Sequence, residues 1–158
     1  MTRVIRVHNV PTDIRALATP HDYVDMFVAT AAHAGEATPE EWARATVDSA
    51  SSAGRFLAWR AVCELQLGPD DAEHIGGWRI ADRGHGWIRV AARSWFMSAQ
   101  MLFHVDGDRV AFVTFVRYDR AIGRVIWQTA SNLHRAVAPR FLLGGVRQIE
   151  RKSAAAPR

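Results

Sequence analysis

From Gly77 to Tyr118 apolar residues recur at nearly every second position, and this period limits the fold more than any other feature of the chain. Residues two apart share one face of a strand. Four strands are expected, at 77–83, 86–94, 97–105 and 109–118. The clearest link is HVDGDRV, where Asp106-Gly107 suits a two-residue hairpin with positive backbone angles. With that pair as the turn, Phe103 faces Val110, Met101 faces Phe112, Ala99 faces Thr114 and Met97 faces Val116. Thr114 is the one polar member of this face. The opposite face takes Gln100, His104, Arg109 and Arg117, and the two earlier strands add Arg79, Arg83, Arg89 and Arg93 by the same alternation. One side of the sheet is therefore core and the other polar and basic. The link RSWFMS, between the second and third strands, contains no Gly, Pro, Asn or Asp to mark its turn.

Before this region, DYVDMFVAT puts Val24, Met26 and Val28 on one strand face and Tyr23, Asp25 and Phe27 on the other. TPEEW then opens a helix, with Thr38 as N-cap, Pro39 at the first helical position and Glu41 completing a capping box. The helix is expected to break near DSASSAG and resume as RFLAWRAVCELQL, where Phe56, Trp59, Cys63 and Leu67 share a face and little polar surface remains. Such a helix is buried, and Gly68-Pro69 stops it. After the strands, Asp119 is the expected N-cap of a closing helix. Ile122, Ile126, Ala130, Leu133 and Val137 form its apolar stripe, while Arg124, Gln128 and Arg135 point away. Pro139 is expected to kink or end it, with RFLLGGVRQI as a second segment or continuation. Residues 1–19 read as a lead-in covering part of the domain, 20–150 as a single domain and 151–158 as a frayed tail. The layout is α+β.

Composition decides a few further questions. A chain of 158 residues, 49% of them hydrophobic, is large enough to bury a real core. The net charge of +4 comes from arginine, since Lys152 is the only lysine. Charge of this size gives nucleic-acid binding little weight. Cys63 is the sole cysteine, so no internal disulfide forms, and cytoplasmic residence is expected. The amino end lacks a signal-peptide pattern, and no apolar run approaches the roughly 18 residues of a membrane span. The scattered histidines give no metal-binding spacing, and no cofactor fingerprint is present.

The order of elements, with GWRIADR, FVTFVRYDR and AIGRVIWQTASNLHRAVAPRFL, resembles an actinobacterial family of the SRPBCC or START-like superfamily, the helix-grip, polyketide cyclase-like fold. The resemblance covers residues 20–145 and rests also on Asp22-Tyr23 and on Trp127 with His134. It implies a curved antiparallel sheet of five or more strands gripping a long C-terminal helix, with helices between the first strand and the others. Five strands are clear in this sequence against the superfamily's usual seven. It also implies a cavity under the closing helix that often holds a lipid, sterol, polyketide or aromatic compound. Some members are cyclases or hydrolases and others carry or sense ligands, so the fold does not name an activity.

The expected ligand-binding residues are Trp78, Met101, Phe112, Thr114, Tyr118, Trp127 and His134. Met101, Phe112, Thr114 and Trp78 point inward by alternation, and serve equally as plain core. Thr114 is the informative one, because a hydroxyl on an apolar face needs a partner. Trp127 and His134, seven residues apart, share a flank of the closing helix, either packed or lining a cavity. Tyr118 with Asp119 suits a proton donor beside a carboxylate, or a packed ring beside a helix cap. The leading expectation is a carrier of a small apolar molecule or lipid, with an enzyme using the same cavity as the alternative. The arginine face, with Trp87 and Phe115 interleaved, suits a solvated surface, a homodimer contact or a site for an anionic partner.

Overall fold

The computed structural model describes residues 2–51 and 60–156. The expected restart of the second helix, with Phe56 and Trp59, lies outside them. Seven strands make one antiparallel sheet: β1 (Val4–Val7), β2 (Tyr23–Thr30), β3 (His74–Ile75), β4 (Trp78–Gly84), β5 (Trp87–Arg93), β6 (Met97–Asp106) and β7 (Arg109–Tyr118). Their order is β1-β2-β7-β6-β5-β4-β3, an open sheet with two short edges. Among the described residues the sheet is joined by helices α1 (Thr12–Arg15), α2 (Pro39–Ser51) and α3 (Ala121–Ala155), with a short 3-10 helix at Ala34–Glu36 and a helical turn at 60–63. The four strands read from period two are all present, and β1 and β3 are additions too short to show a period.

The β6–β7 register differs from the expected one by two residues. Phe103 faces Phe112, Met101 faces Thr114, Ala99 faces Val116 and Met97 faces Tyr118, because the turn is Gly107-Asp108. Gly107 takes φ +58 at the first turn position, where a side chain would be strained. A shift of two conserves the face of every side chain. Phe103 and Phe112 accordingly stack at 5.0 Å inside the core, while Arg109 and Arg117 remain exposed. The unmarked turn at RSWFMS is organised by Ser94, whose hydroxyl accepts the N–H groups of Phe96 and Met97.

The outer face is less uniform than expected. Residues 8–20 lie across it, so Val10 and Ile14 bury Leu102, Val113 and Phe115 in a second core. The lead-in thus supplies both an edge strand and a cover for the β2–β7–β6 part of the sheet. Phe115 is wholly buried there, with the His21 ring 4.7 Å away, and offers no surface for stacking. Arg83 is also misplaced by simple alternation. A bulge between Ile80 and Asp82 turns it to the helical side, where it reaches Glu40.

On the inner face α2 and α3 share the cover. The capping box forms as expected, with Glu41 N–H on the Thr38 hydroxyl at 3.2 Å and Thr38 N–H on the Glu41 carboxylate at 2.8 Å. The helical turn at 60–63 ends at Cys63, four residues before the expected end at Leu67, because Glu64 takes a left-handed φ of 50. Ala61 and Val62 are exposed, so this turn is not buried on all sides.

Two expectations for the closing helix are corrected. Its N-cap is Arg120, and the Asp119 carboxylate instead accepts from the Ser98 hydroxyl at 2.5 Å and from Arg117 Nε at 2.7 Å. The buried face carries Trp127, Ser131, His134, Ala138, Phe141 and Leu142, whereas Ile122 and Leu133 of the expected stripe are exposed. Of the two expectations for RFLLGGVRQI, the continuation forms: α3 runs through Pro139 to Ala155. An internal proline costs about 3 kcal/mol, which the buried Val137, Ala138, Phe141 and Leu142 around it offset. Glycines fit the helix to its neighbours: a Cβ at Gly123 would meet the Phe96 carbonyl at 2.5 Å.

Candidate functional site

Between the sheet, α2 and α3 lies an apolar chamber of about 70 Å³. Six of the seven residues expected to bind a ligand line it: Trp78 on β4, Met101 on β6, Phe112 and Thr114 on β7, and Trp127 and His134 on α3. Tyr118 does not. It packs half-buried at the core edge, and its neighbour Asp119 bonds groups of the outer face, so the two do not form one site. Burial, then the Asp22 carboxylate, raises the Tyr118 phenol above its ordinary value.

The chamber walls are hydrocarbon and sulfur, but three polar atoms in them lack a partner. Thr46 Oγ1, Trp78 Nε1 and Thr114 Oγ1 are buried and make no hydrogen bond. They come from three different elements, α2, β4 and β7. A buried donor left without a partner costs about 1–3 kcal/mol, so three around one space is unusual for a plain core. Thr46 was not foreseen, because a threonine inside an amphipathic helix has no sequence signal to distinguish it. Cys63 also lines the space, and burial pushes its thiol up to about 11.

Behind one wall sits an ionisable cluster. His134 Nε2 lies 3.2 Å from Asp25 Oδ2, and the Asp25 side chain is wholly buried. The Tyr23 hydroxyl donates to the same carboxylate at 2.6 Å and accepts from Arg135 Nη1 at 3.3 Å. Burial, followed by the adjacent Asp25, raises the Tyr23 phenol far above its ordinary value, so it stays protonated. The rings of Tyr23 and Trp127 meet edge to face at 5.3 Å, and Trp127 and His134 lie 5.4 Å apart. A carboxylate so placed fixes the orientation of the imidazole that faces the chamber. Asp25 and Tyr23 were absent from the expected site, although an acid on the inward face of DYVDMFVAT was a usable signal. Among the described residues no group of three His, Cys, Asp or Glu side chains is placed to hold a metal ion, and no helix is long and apolar enough to cross a membrane.

No family model, curated protein or solved structure matches the chain.

Proposed function

We propose that the protein binds a compact, mainly apolar molecule carrying one or two polar atoms, in the chamber beneath the closing helix. The observation that carries this reading is that Thr46, Trp78 and Thr114, each with a buried polar atom that has no partner, line one otherwise apolar space. Ligand sites combine an apolar lining with a few fixed polar groups in this way. The seven antiparallel strands and the 35-residue α3 fit a helix-grip layout, and the START-like, cytoplasmic carrier is the reading proposed on it.

Size restricts the ligand. An engineered apolar cavity that admits benzene measures about 150 Å³. At 70 Å³ the chamber takes a few heavy atoms, and anything larger must displace Met97, Met101 or Phe141. Methionine is the side chain best able to yield, having three soft torsions. Native mass spectrometry of protein from its own host tests the reading. A small organic adduct is expected on the wild type and not on Thr114→Trp, which fills the space; equal spectra without adduct would contradict it.

The Asp25–His134 pair favours a second reading, proton transfer to or from the bound molecule by His134, as in a cyclase or hydrolase. It requires turnover that His134→Gln abolishes while binding persists. Binding without product would leave the carrier.

A further inference from the structure

On the opposite side of the sheet from the chamber is an open cleft of about 590 Å³, within the roughly 300–1,000 Å³ of small-molecule sites. Gly77, Ala81 and Ala91 leave its space, and Arg79, Arg89 and Arg93 bring charge to it. Strand pairing explains the grouping. Arg79 lies opposite Ala91, Ala91 opposite Gln100 and Arg93 opposite Ser98, so small residues alternate with cations across the outer face. Neither Arg79 nor Arg93 makes a side-chain hydrogen bond or ion pair among the described residues.

Arg89 is the fixed member. Its side chain is 12% exposed. Nη1 donates to Gln100 Oε1 at 2.9 Å, and that oxygen also accepts the Thr19 N–H at 3.1 Å. Gln100 Nε2 donates in turn to the Thr19 hydroxyl at 2.7 Å, so a buried amide and the N-terminal segment together hold the guanidinium still. Its other edge is unsatisfied. Nε is buried without a hydrogen-bond partner, and Nη2 has the Asp82 carboxylate at 3.7 Å, beyond hydrogen-bonding distance.

We propose that this cleft binds a small organic oxyanion, its carboxylate or phosphate group held by the Arg79 and Arg93 guanidinium groups, with the fixed Arg89 beside them supplying the remaining charge. A nucleic acid fits less well. Phe115 is buried under the N-terminal segment, Trp87 packs half-buried against the same core, and Arg117 is engaged by Asp119. The inference does not depend on the chamber and stands or falls separately.

Calorimetry on the full chain with phenyl phosphate and with benzoate tests it, the two probes separating phosphate from carboxylate preference. Saturable binding of at least one probe is expected. Arg93→Gln, an exposed change that leaves folding intact, should weaken it about tenfold, the effect of losing one charge-assisted contact. Asp82→Asn should tighten it by removing the competing carboxylate, and Arg109→Gln, outside the cleft, should change it less than about twofold. Absence of saturable binding in both wild type and Asp82→Asn would overturn the proposal, as would equal weakening by Arg109→Gln. Tighter, steeply salt-dependent binding of an oligothymidylate would overturn it in favour of a nucleic-acid surface.

Discussion

Asp25 and His134 stand 109 positions apart in the chain and 3.2 Å apart in the fold. Their contact ties the second strand to the closing helix, and it sets the imidazole in the chamber wall. Tyr23 closes the far side of the carboxylate.

Removing this carboxylate should therefore be costly. Asp25→Ala strips partners from both His134 and Tyr23, and a broken buried polar pair is expected to cost about 3–5 kcal/mol. Tyr23→Phe removes one hydrogen bond to a charged group and should cost about 1.5–3 kcal/mol. Urea unfolding of the two variants checks the order.

The capping box should act independently of the chamber. Thr38→Ala leaves the Glu41 N–H without its acceptor and should cost about 1 kcal/mol, with no change in ligand binding. Denaturant midpoints at constant slope measure it.

Acid should act partly through Asp119. Burial pushes its carboxyl up, but the Ser98 hydroxyl and the Arg117 guanidinium outweigh that and hold it below its ordinary value. A carboxyl with a depressed folded-state pKa stabilises fully above its unfolded value of about 3.8, and this contribution disappears as pH falls through the folded value. Asp119→Asn should flatten the stability profile below about pH 4 and leave its alkaline limb unchanged.

Alkali should act partly through Cys63. Its thiol is raised from 9.0 to about 11 by burial, so the stabilisation it gives is complete below pH 9 and is lost as pH rises through about 11. At neutral pH the native thiol should react with a disulfide reagent far more slowly than in denaturant. Cys63→Ser should flatten the same alkaline limb.

Much of this arrangement was legible in the sequence because strand alternation is robust. Reading the β6–β7 turn one residue early shifts the register by two, yet Met101, Phe112 and Thr114 still face inward, since only an odd register shift reverses the faces. Helix phase was harder to read. The apolar stripe through Ile122 and Leu133 was the more hydrophobic choice, but Gly123 against the Phe96 carbonyl and His134 against Asp25 turn the helix the other way. These contacts join distant segments and leave no local period. The bulge that redirects Arg83 carries no Gly or Pro, and the strand β1 is only four residues long.

The central claim is that Thr46, Trp78 and Thr114 await polar atoms of a bound molecule. Titration of the full chain with 2-propanol, whose few heavy atoms suit the space, followed by the indole N–H resonance of Trp78 in nitrogen-edited spectra, tests this most directly. A saturable shift at Trp78 that Thr114→Val weakens is expected. An unchanged Trp78 resonance across the titration, in wild type and variant alike, would contradict the account.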